Sequence, residues 1–316
     1  MYAPYSRCTL CPRNCGANRL RGETGYCGEQ AALRIAAASL HRGEEPPVSG
    51  SQGSGTLFIS GCNLRCTFCQ NHQISQGGMG KGLSPQGFAA LCLALQQEGA
   101  ENINLVTGSH AVPALERGLR EARSQGLALP VLWNSSAYEL PETLSLLESL
   151  VDGYMPDLKT LDSALAARFF HAPDYPEYAQ KAILWMLQER PLRFEGTRLR
   201  SGVIIRHLVL PGYLESTHRV LAWFAEQAQG RALLSLMTQY TPVRLPGTPS
   251  GGAPDRQVQP QEYEQILAWL DRFGITDGFY QELASSPEGA VLPDFSRGEP
   301  FPPELARTIW RPPAAH

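Results

Sequence analysis

Short, dense apolar runs at about 56–60, 103–107, 129–133, 151–155, 203–210 and 232–237 read as strands. Between them lie longer helix-like stretches, at about 85–98, 111–124, 139–149, 161–170, 176–189 and 216–228. Repeated strand–helix units require a largely parallel sheet with helices outside it, because each crossover must cover an apolar sheet face. The pattern therefore predicts an α/β fold, and six or so units fit either a partial barrel or an open doubly wound sheet. In a barrel the loops that follow the strands gather at one mouth, where each strand can contribute a functional residue.

Before the first strand, residues 29–40 are rich in alanine and residues 43–55 in Gly, Pro and Ser, which places a crossing from a small lobe into the main domain near residue 50. After the last strand, Pro246–Gly252 reads as a surface bend and Gln261–Phe273 as a terminal helix, and the final Arg-Pro-Pro-Ala-Ala-His stretch should fray. The expected division is a cysteine-rich lobe over 1–50, a catalytic domain over 51–245 and a C-terminal extension over 246–316.

Composition narrows the function. A 316-residue chain with 43% hydrophobic residues can bury a large core. A net charge of −3 supplies no basic field for a nucleic-acid backbone or an acidic membrane, so neither is an expected partner. Met1-Tyr2-Ala3-Pro4-Tyr5 does not read as a secretory signal and no run of 18 apolar residues occurs, so a soluble cytoplasmic protein is expected.

Of eight cysteines, seven fall at positions 8, 11, 15, 27, 62, 66 and 69. That concentration suits metal binding in a reducing compartment better than disulfides. Cys92 stands alone in an apolar helix-like run and reads as core. Gly61-Cys62-Asn63-Leu64-Arg65-Cys66-Thr67-Phe68-Cys69 follows the first strand. Its three thiolates can hold a [4Fe-4S] cluster whose fourth iron stays open to a small molecule. A structural zinc site would need a fourth ligand such as His72. Cys8-x2-Cys11-x3-Cys15, with Cys27 after eleven intervening residues, can close a second site around Zn2+ or an auxiliary iron–sulfur cluster, or form a reduced cysteine-rich lobe.

Cys62-x3-Cys66-x-Phe68-Cys69 resembles the signature of radical S-adenosylmethionine enzymes. Further blocks are similar to proteins labelled pyruvate formate-lyase activating enzymes: Asn102–His110, Val131–Ser136, Tyr154–Lys159, Ile205–Gly212 and Met237–Pro242. The resemblance implies a partial (β/α)6 radical-SAM barrel with a small N-terminal cysteine-rich lobe and a C-terminal extension. It implies that S-adenosylmethionine chelates the open iron through its amino and carboxylate groups. Reduction then cleaves it to methionine and a 5'-deoxyadenosyl radical that abstracts hydrogen from substrate. An external flavodoxin or ferredoxin would supply the electron. The substrate would be a glycyl-radical enzyme, another peptide or a small molecule. Non-radical iron–sulfur electron transfer or sensing is a different class of reading, and a zinc-dependent RNA-binding module is a third.

Within that family frame Phe68 either lies beside adenine or shields the cluster. Thr107 and Gly108, at a strand end, can meet the methionine moiety, and His110 either reaches the pocket or caps backbone. Asn134, Ser135 and Ser136 can bind ribose hydroxyls or the next helix's amides. Asp157 and Lys159, two apart after a strand, can point the same way toward one polar ligand, or simply pair with each other. Arg206 and His207 must face opposite sides of their strand, so one of them enters the barrel. Gln239 and Tyr240 can line the adenosyl or substrate cavity.

Overall fold

The computed structural model describes residues 3–243, 245, 252–283 and 292–313. In chain order the elements are β1 (Leu33–His41), α1 (Pro46–Ser49), β2 (Ser54–Ile59), α2 (His72–Ser75), β3 (Lys81–Leu83), α3 (Pro85–Gln97), β4 (Ile103–Val106), α4 (Val112–Ser124), β5 (Val131–Ser135), α5 (Pro141–Leu144), β6 (Gly153–Pro156), α6 (Ser163–Phe170), α7 (Tyr175–Glu189), β7 (Arg193–Glu195), β8 (Arg198–Leu208), α8 (Leu214–Gln227), β9 (Leu233–Met237), α9 (Pro260–Phe273), β10 (Gly278–Tyr280) and β11 (Ala306–Trp310). The bend expected at 246–252 lies, up to residue 251, outside the described residues, as do the last three residues of the C-terminal stretch.

All six expected strands are present, as β2, β4, β5, β6, β8 and β9, each parallel to the next. The sheet order is β10-β9-β8-β6-β5-β4-β2-β1-β11, so two edges remain unjoined and the architecture is a partial (β/α) barrel. Helix boundaries have local causes. Proline opens α3, α4, α5 and α9, where a missing N–H costs nothing. Ser84 caps α3 by accepting from the Gly87 amide, and Asp162 caps α6 by accepting from the Ala164 and Leu165 amides.

β1 lies inside the expected 1–50 lobe, but its pairing crosses the boundary expected near residue 50. It pairs antiparallel with β2 on one side and with β11, from the C-terminal extension, on the other. The alanine-rich stretch that the pattern alone does not assign is thus mostly a sheet strand, and residues from all three expected segments share one sheet. Its Ala36, Ala37 and Ala38 are buried, and pairing on both sides outweighs alanine's helical preference.

Alternation along the strands sorts side chains into two layers. Leu57, Leu105, Trp133, Tyr154, Ile205 and Leu236 face outward into the main core, which includes Phe88, Leu115, Leu119 and Phe224 from the helices. Leu132, Met155 and Ile204 face inward and pack with Val48 and Leu199 as an apolar floor at the strands' N-terminal ends. Above this floor, Arg206 donates to Glu44 and Glu45 from the connection between β1 and α1, and Asn104 donates to Glu44 at 2.9 Å. At the side, Phe295 and Phe301 from the C-terminal segment pack on Phe58 with ring centroids 5.4 and 5.2 Å away. No helix among the described residues is long and apolar enough to cross a membrane.

Candidate functional site

The loop after β2 carries Cys62, Cys66 and Cys69, and the three thiols lie within electrostatic reach of one another. Burial is the largest influence on Cys66 and Cys69, raising both, with Cys69 pushed up to about 11, and neighbouring thiols push the same way. Three thiolates held together in a desolvated loop require a compensating cation. The loop also supplies polar contacts to sulfur: the Leu64 amide donates to Cys62 Sγ at 3.4 Å, and Cys69 Sγ lies 3.2 Å from Ser75 Oγ. Soft donors, mutual repulsion and local donors fit an iron–sulfur cluster bound through three corners. His72, the conceivable fourth ligand of a zinc site, opens α2. Among the described residues no three His, Cys, Asp or Glu side chains gather as they would around one ion.

Lys159 and Asp157 reach the same place. Their side chains pair at 2.6 Å, and the Lys159 ammonium acts electrostatically on both Cys66 and Cys69. Burial works against the Lys159 charge, but Asp157 and Cys66 outweigh it and hold its pKa above the ordinary lysine value. The turn carrying the pair is braced from three directions. The Tyr175 hydroxyl donates to the Asp157 carbonyl at 2.6 Å and accepts from the Lys159 amide at 2.9 Å, and the Leu158 amide donates to the Arg206 carbonyl at 2.8 Å. His207 Nδ1 lies 2.7 Å from the Leu158 carbonyl.

Thr107, just beyond β4, has φ of +66°. A β-branched residue in the left-handed region is strained, and such strain concentrates at functional sites. Its amide donates to the Asn134 carbonyl at 2.9 Å, which ties the ends of β4 and β5 together. Gly108 has a packing role: a Cβ there would stand 2.6 Å from the Trp133 ring and 2.7 Å from Leu115. Asn134 and Ser136 are half-buried at the end of β5. Between them, Ser135 donates to Glu139 at 2.6 Å, and that carboxylate also accepts from Ser109 and the Trp133 indole. Glu139 is buried and its pKa raised by that burial, although all three donors oppose the shift.

Arg206 is the residue that enters the barrel, where Glu44 and Glu45 already engage its guanidinium. His207 faces the opposite way, with Nε2 3.0 Å from Thr217 Oγ1 on α8. His110 is buried, its Nε2 2.8 Å from the Ser60 carbonyl, and burial lowers its pKa to about 3, so the ring is neutral. Phe68 packs edge-on against Phe169, Phe170 and Tyr240 at 5.7–6.0 Å, an aromatic wall beside the thiols. Gln239 is exposed, and its amide donates to the Gln281 side chain at 3.3 Å. Cys92 is fully buried in α3.

The N-terminal lobe abuts the thiol loop. The Cys62 amide donates to the Cys27 carbonyl at 3.4 Å. Arg13 donates to the carbonyls of Asn63, Leu64, Phe170 and His171, which fastens the loop to the end of α6. The C-terminal segment holds the loop's far side: Gln73 donates to Asp294 at 2.9 Å and accepts from the Phe295 amide at 2.7 Å. A cleft of about 540 Å³ opens between Thr241 and that segment, lined by Leu292, Asp294, Arg297 and Phe301 among others.

The braces were missed by sequence reasoning. Glu44, Glu45, Arg13, Tyr175 and Glu139 reach partners far along the chain or on other elements, and no local spacing marks them.

Residues 56–221 match the family described as the Radical SAM superfamily. An uncharacterized protein of Methanocaldococcus jannaschii, MJ0674, is 29% identical over 280 residues, covering 86% of this chain and 76% of that one. Among solved structures, Streptococcus suis SuiB bound to S-adenosylmethionine aligns with a TM-score of 0.51 at 12% identity, over 70% of this chain and 48% of SuiB. A radical SAM methyltransferase from Sphaerobacter thermophilus aligns at 0.50 with 15% identity, over 72% of this chain and 66% of that one. The chain thus spans about half of SuiB, and at these identities the likeness is one of fold.

Proposed function

The chain belongs to the radical SAM superfamily and is a radical SAM enzyme; on that premise we propose that Cys62, Cys66 and Cys69 hold its [4Fe-4S] cluster and that the strand-end residues around them hold S-adenosylmethionine. When bound, the reduced cluster supplies the electron that cleaves S-adenosylmethionine to the radical that abstracts hydrogen from substrate. One observation carries the assignment: the Lys159 ammonium, paired with Asp157 just beyond β6, lies within electrostatic reach of Cys66 and Cys69 on a loop ninety positions earlier.

The chain's own residues have separable tasks. Lys159 and Asp157 present one positive and one negative group, a match for a zwitterionic amino-acid moiety. Thr107 contributes a hydroxyl from its strained position, and Asn134 and Ser136 offer short polar side chains to ribose hydroxyls. Phe68, with Phe169, Phe170 and Tyr240, excludes water from the thiol side. Arg206 is a positioning residue in this reading, since its charge is balanced within the barrel by Glu44 and Glu45.

For substrate we favour a backbone glycine of a partner protein, the outcome implied by the five sequence blocks similar to pyruvate formate-lyase activating enzymes, with a flavodoxin or ferredoxin as donor. Anaerobic incubation of the reduced enzyme and S-adenosylmethionine with candidate glycyl-radical proteins tests this by electron paramagnetic resonance. A stable glycyl doublet on the partner supports the reading. Deoxyadenosine formation without a doublet on any candidate would redirect the search to small molecules and other peptides.

A further inference from the structure

The N-terminal lobe holds a buried cation with no carboxylate in salt-bridge contact. Arg19 is 2% exposed, and among the described residues it forms no ion pair. Its guanidinium donates to the carbonyls of Gln30 and His110, lies over the Tyr5 ring at 4.1 Å and reaches Cys8 Sγ at 4.0 Å. Carbonyls satisfy its N–H groups but carry no formal charge, and an uncompensated buried charge is strongly destabilising. The nearby acid, Glu29, is ion-paired to Arg34 at 3.2 Å, and Arg34 influences it more than Arg19 does, so it compensates Arg19 only in part. Arg13, half-buried between Cys11 and Cys15 in sequence, likewise donates only to backbone carbonyls and lies over Tyr26 at 3.9 Å.

Two thiols lie near this charge, since Arg19 reaches Cys8 Sγ and acts electrostatically on Cys27, and two more sit close by along the lobe's backbone. The backbone brings Cys8 and Cys15 together, because the Cys8 amide donates to Ala17 and the Gly16 amide to Cys8, each at 3.0 Å. Asn14 takes φ of +40° in the turn closed by its amide on the Cys11 carbonyl. Gly25 leaves a space that a side chain would fill: a Cβ there would lie 3.0 Å from Cys15 Sγ and 3.6 Å from Cys27 Sγ. Cys8 acts electrostatically on both Cys11 and Cys27. Cys8, Cys11 and Cys27 are buried while Cys15 is exposed, which leaves a route for loading from solvent.

We propose that Cys8, Cys11, Cys15 and Cys27 form a second, four-thiolate metal centre, balanced by Arg19 and Arg13 and packed directly against the loop of the radical cluster. Four thiolates around a divalent centre leave a doubly negative unit, which two guanidinium groups neutralise. Four protein ligands make the site closed, so its role is to order the lobe. Through the Cys27 carbonyl and Arg13 the ordered lobe fixes Cys62, Asn63 and Leu64. The thiols do not stand at single-ion spacing among the described residues, so loading either turns the side chains inward on Zn2+ or spans them with an iron–sulfur cluster. The donor chemistry is shared, and metal analysis separates the two.

The test uses the full chain with Cys62, Cys66 and Cys69 changed to Ala, so that failure of the central-cluster assignment cannot mimic failure here. After anaerobic purification, zinc, iron and acid-labile sulfide are counted per chain, and the metal edge is examined by X-ray absorption. About one zinc, or about four irons with matching sulfide, in an all-sulfur first shell at about 2.3 Å supports the proposal. In the same background Arg19→Met should release metal to a chelator about tenfold faster. Absence of stoichiometric metal, a first shell with nitrogen or oxygen ligands, or metal retained when the four cysteines are changed to Ser would overturn it. The absorption measurement decides the matter even if the serine variant fails to fold.

Discussion

A few single residues around the thiol loop have their charge or volume committed. Lys159 keeps its charge inside the protein because Asp157 and Cys66 outweigh burial. Lys159→Met should therefore leave iron and sulfide content unchanged while lowering the rate of deoxyadenosine formation by about 30-fold or more, the loss expected for removing a charged hydrogen bond of roughly 2 kcal/mol. An unchanged rate would remove Lys159 from the S-adenosylmethionine site. Gly108 tests the opposite kind of role. Since a Cβ there would collide with Trp133, Gly108→Ala should destabilise the protein by about 1–3 kcal/mol in urea unfolding, with the Michaelis constant for S-adenosylmethionine unaltered. A raised Michaelis constant at unchanged stability would instead place Gly108 against the ligand.

His207 gives a pH signature. Burial is the main cause that lowers its pKa to about 4 from the ordinary 6.5, although its bond to Leu158 opposes this. Below pH 6.5 the unfolded chain takes up a proton that the folded chain refuses until about pH 4. This contribution to stability is therefore complete above 6.5 and is lost as pH falls through that window, by at most about 1.4 kcal/mol per pH unit. Urea unfolding at pH 7 and pH 5 should show a smaller acid loss for His207→Gln than for wild type. Equal losses would contradict a buried neutral imidazole at this position.

At the element scale the barrel combines an apolar floor with an ionic layer above it. Glu44 and Glu45 come from a connection outside the six repeated units, yet they balance Arg206 on β8, and Glu45 lies 161 positions away from it. Changing both acids to Ala strands a buried guanidinium and should cost about 3–5 kcal/mol by urea unfolding. Combining that change with Arg206→Met should recover much of the loss. Failure to recover would mean that the acids act through something other than Arg206.

These elements also show how far the sequence could be read. The six parallel strands follow from local apolar runs, and the thiol loop from three cysteines within eight positions, so both are legible in the chain. Asp157 and Lys159 could be placed because a strand end fixes side-chain direction. The acids opposite Arg206, the Tyr175 brace under the 157–159 turn and the Arg13 fastening depend on contacts between distant segments, which no periodicity encodes. β1 was hidden for a related reason: its alanines favour helix locally and become strand only between β2 and β11.

Across the whole molecule, the N-terminal lobe and the C-terminal segment both reach the thiol loop. The N-terminal lobe holds one side of the thiol loop through Arg13 and Cys27, and the C-terminal segment holds α2 through Asp294 and Phe295. A radical intermediate must be shielded from water, and fastening the loop from both sides serves that need. In the proposed reading this loop carries the cluster that cleaves S-adenosylmethionine. The direct measurement is 5'-deoxyadenosine by mass-resolved chromatography after anaerobic reconstitution, dithionite reduction and addition of S-adenosylmethionine, comparing wild type with the Cys62/Cys66/Cys69→Ala variant. Wild type should form product and the variant none above background; equal product from both, or none from a wild-type protein with a verified reduced cluster and bound S-adenosylmethionine, would contradict cluster binding and cleavage at this loop.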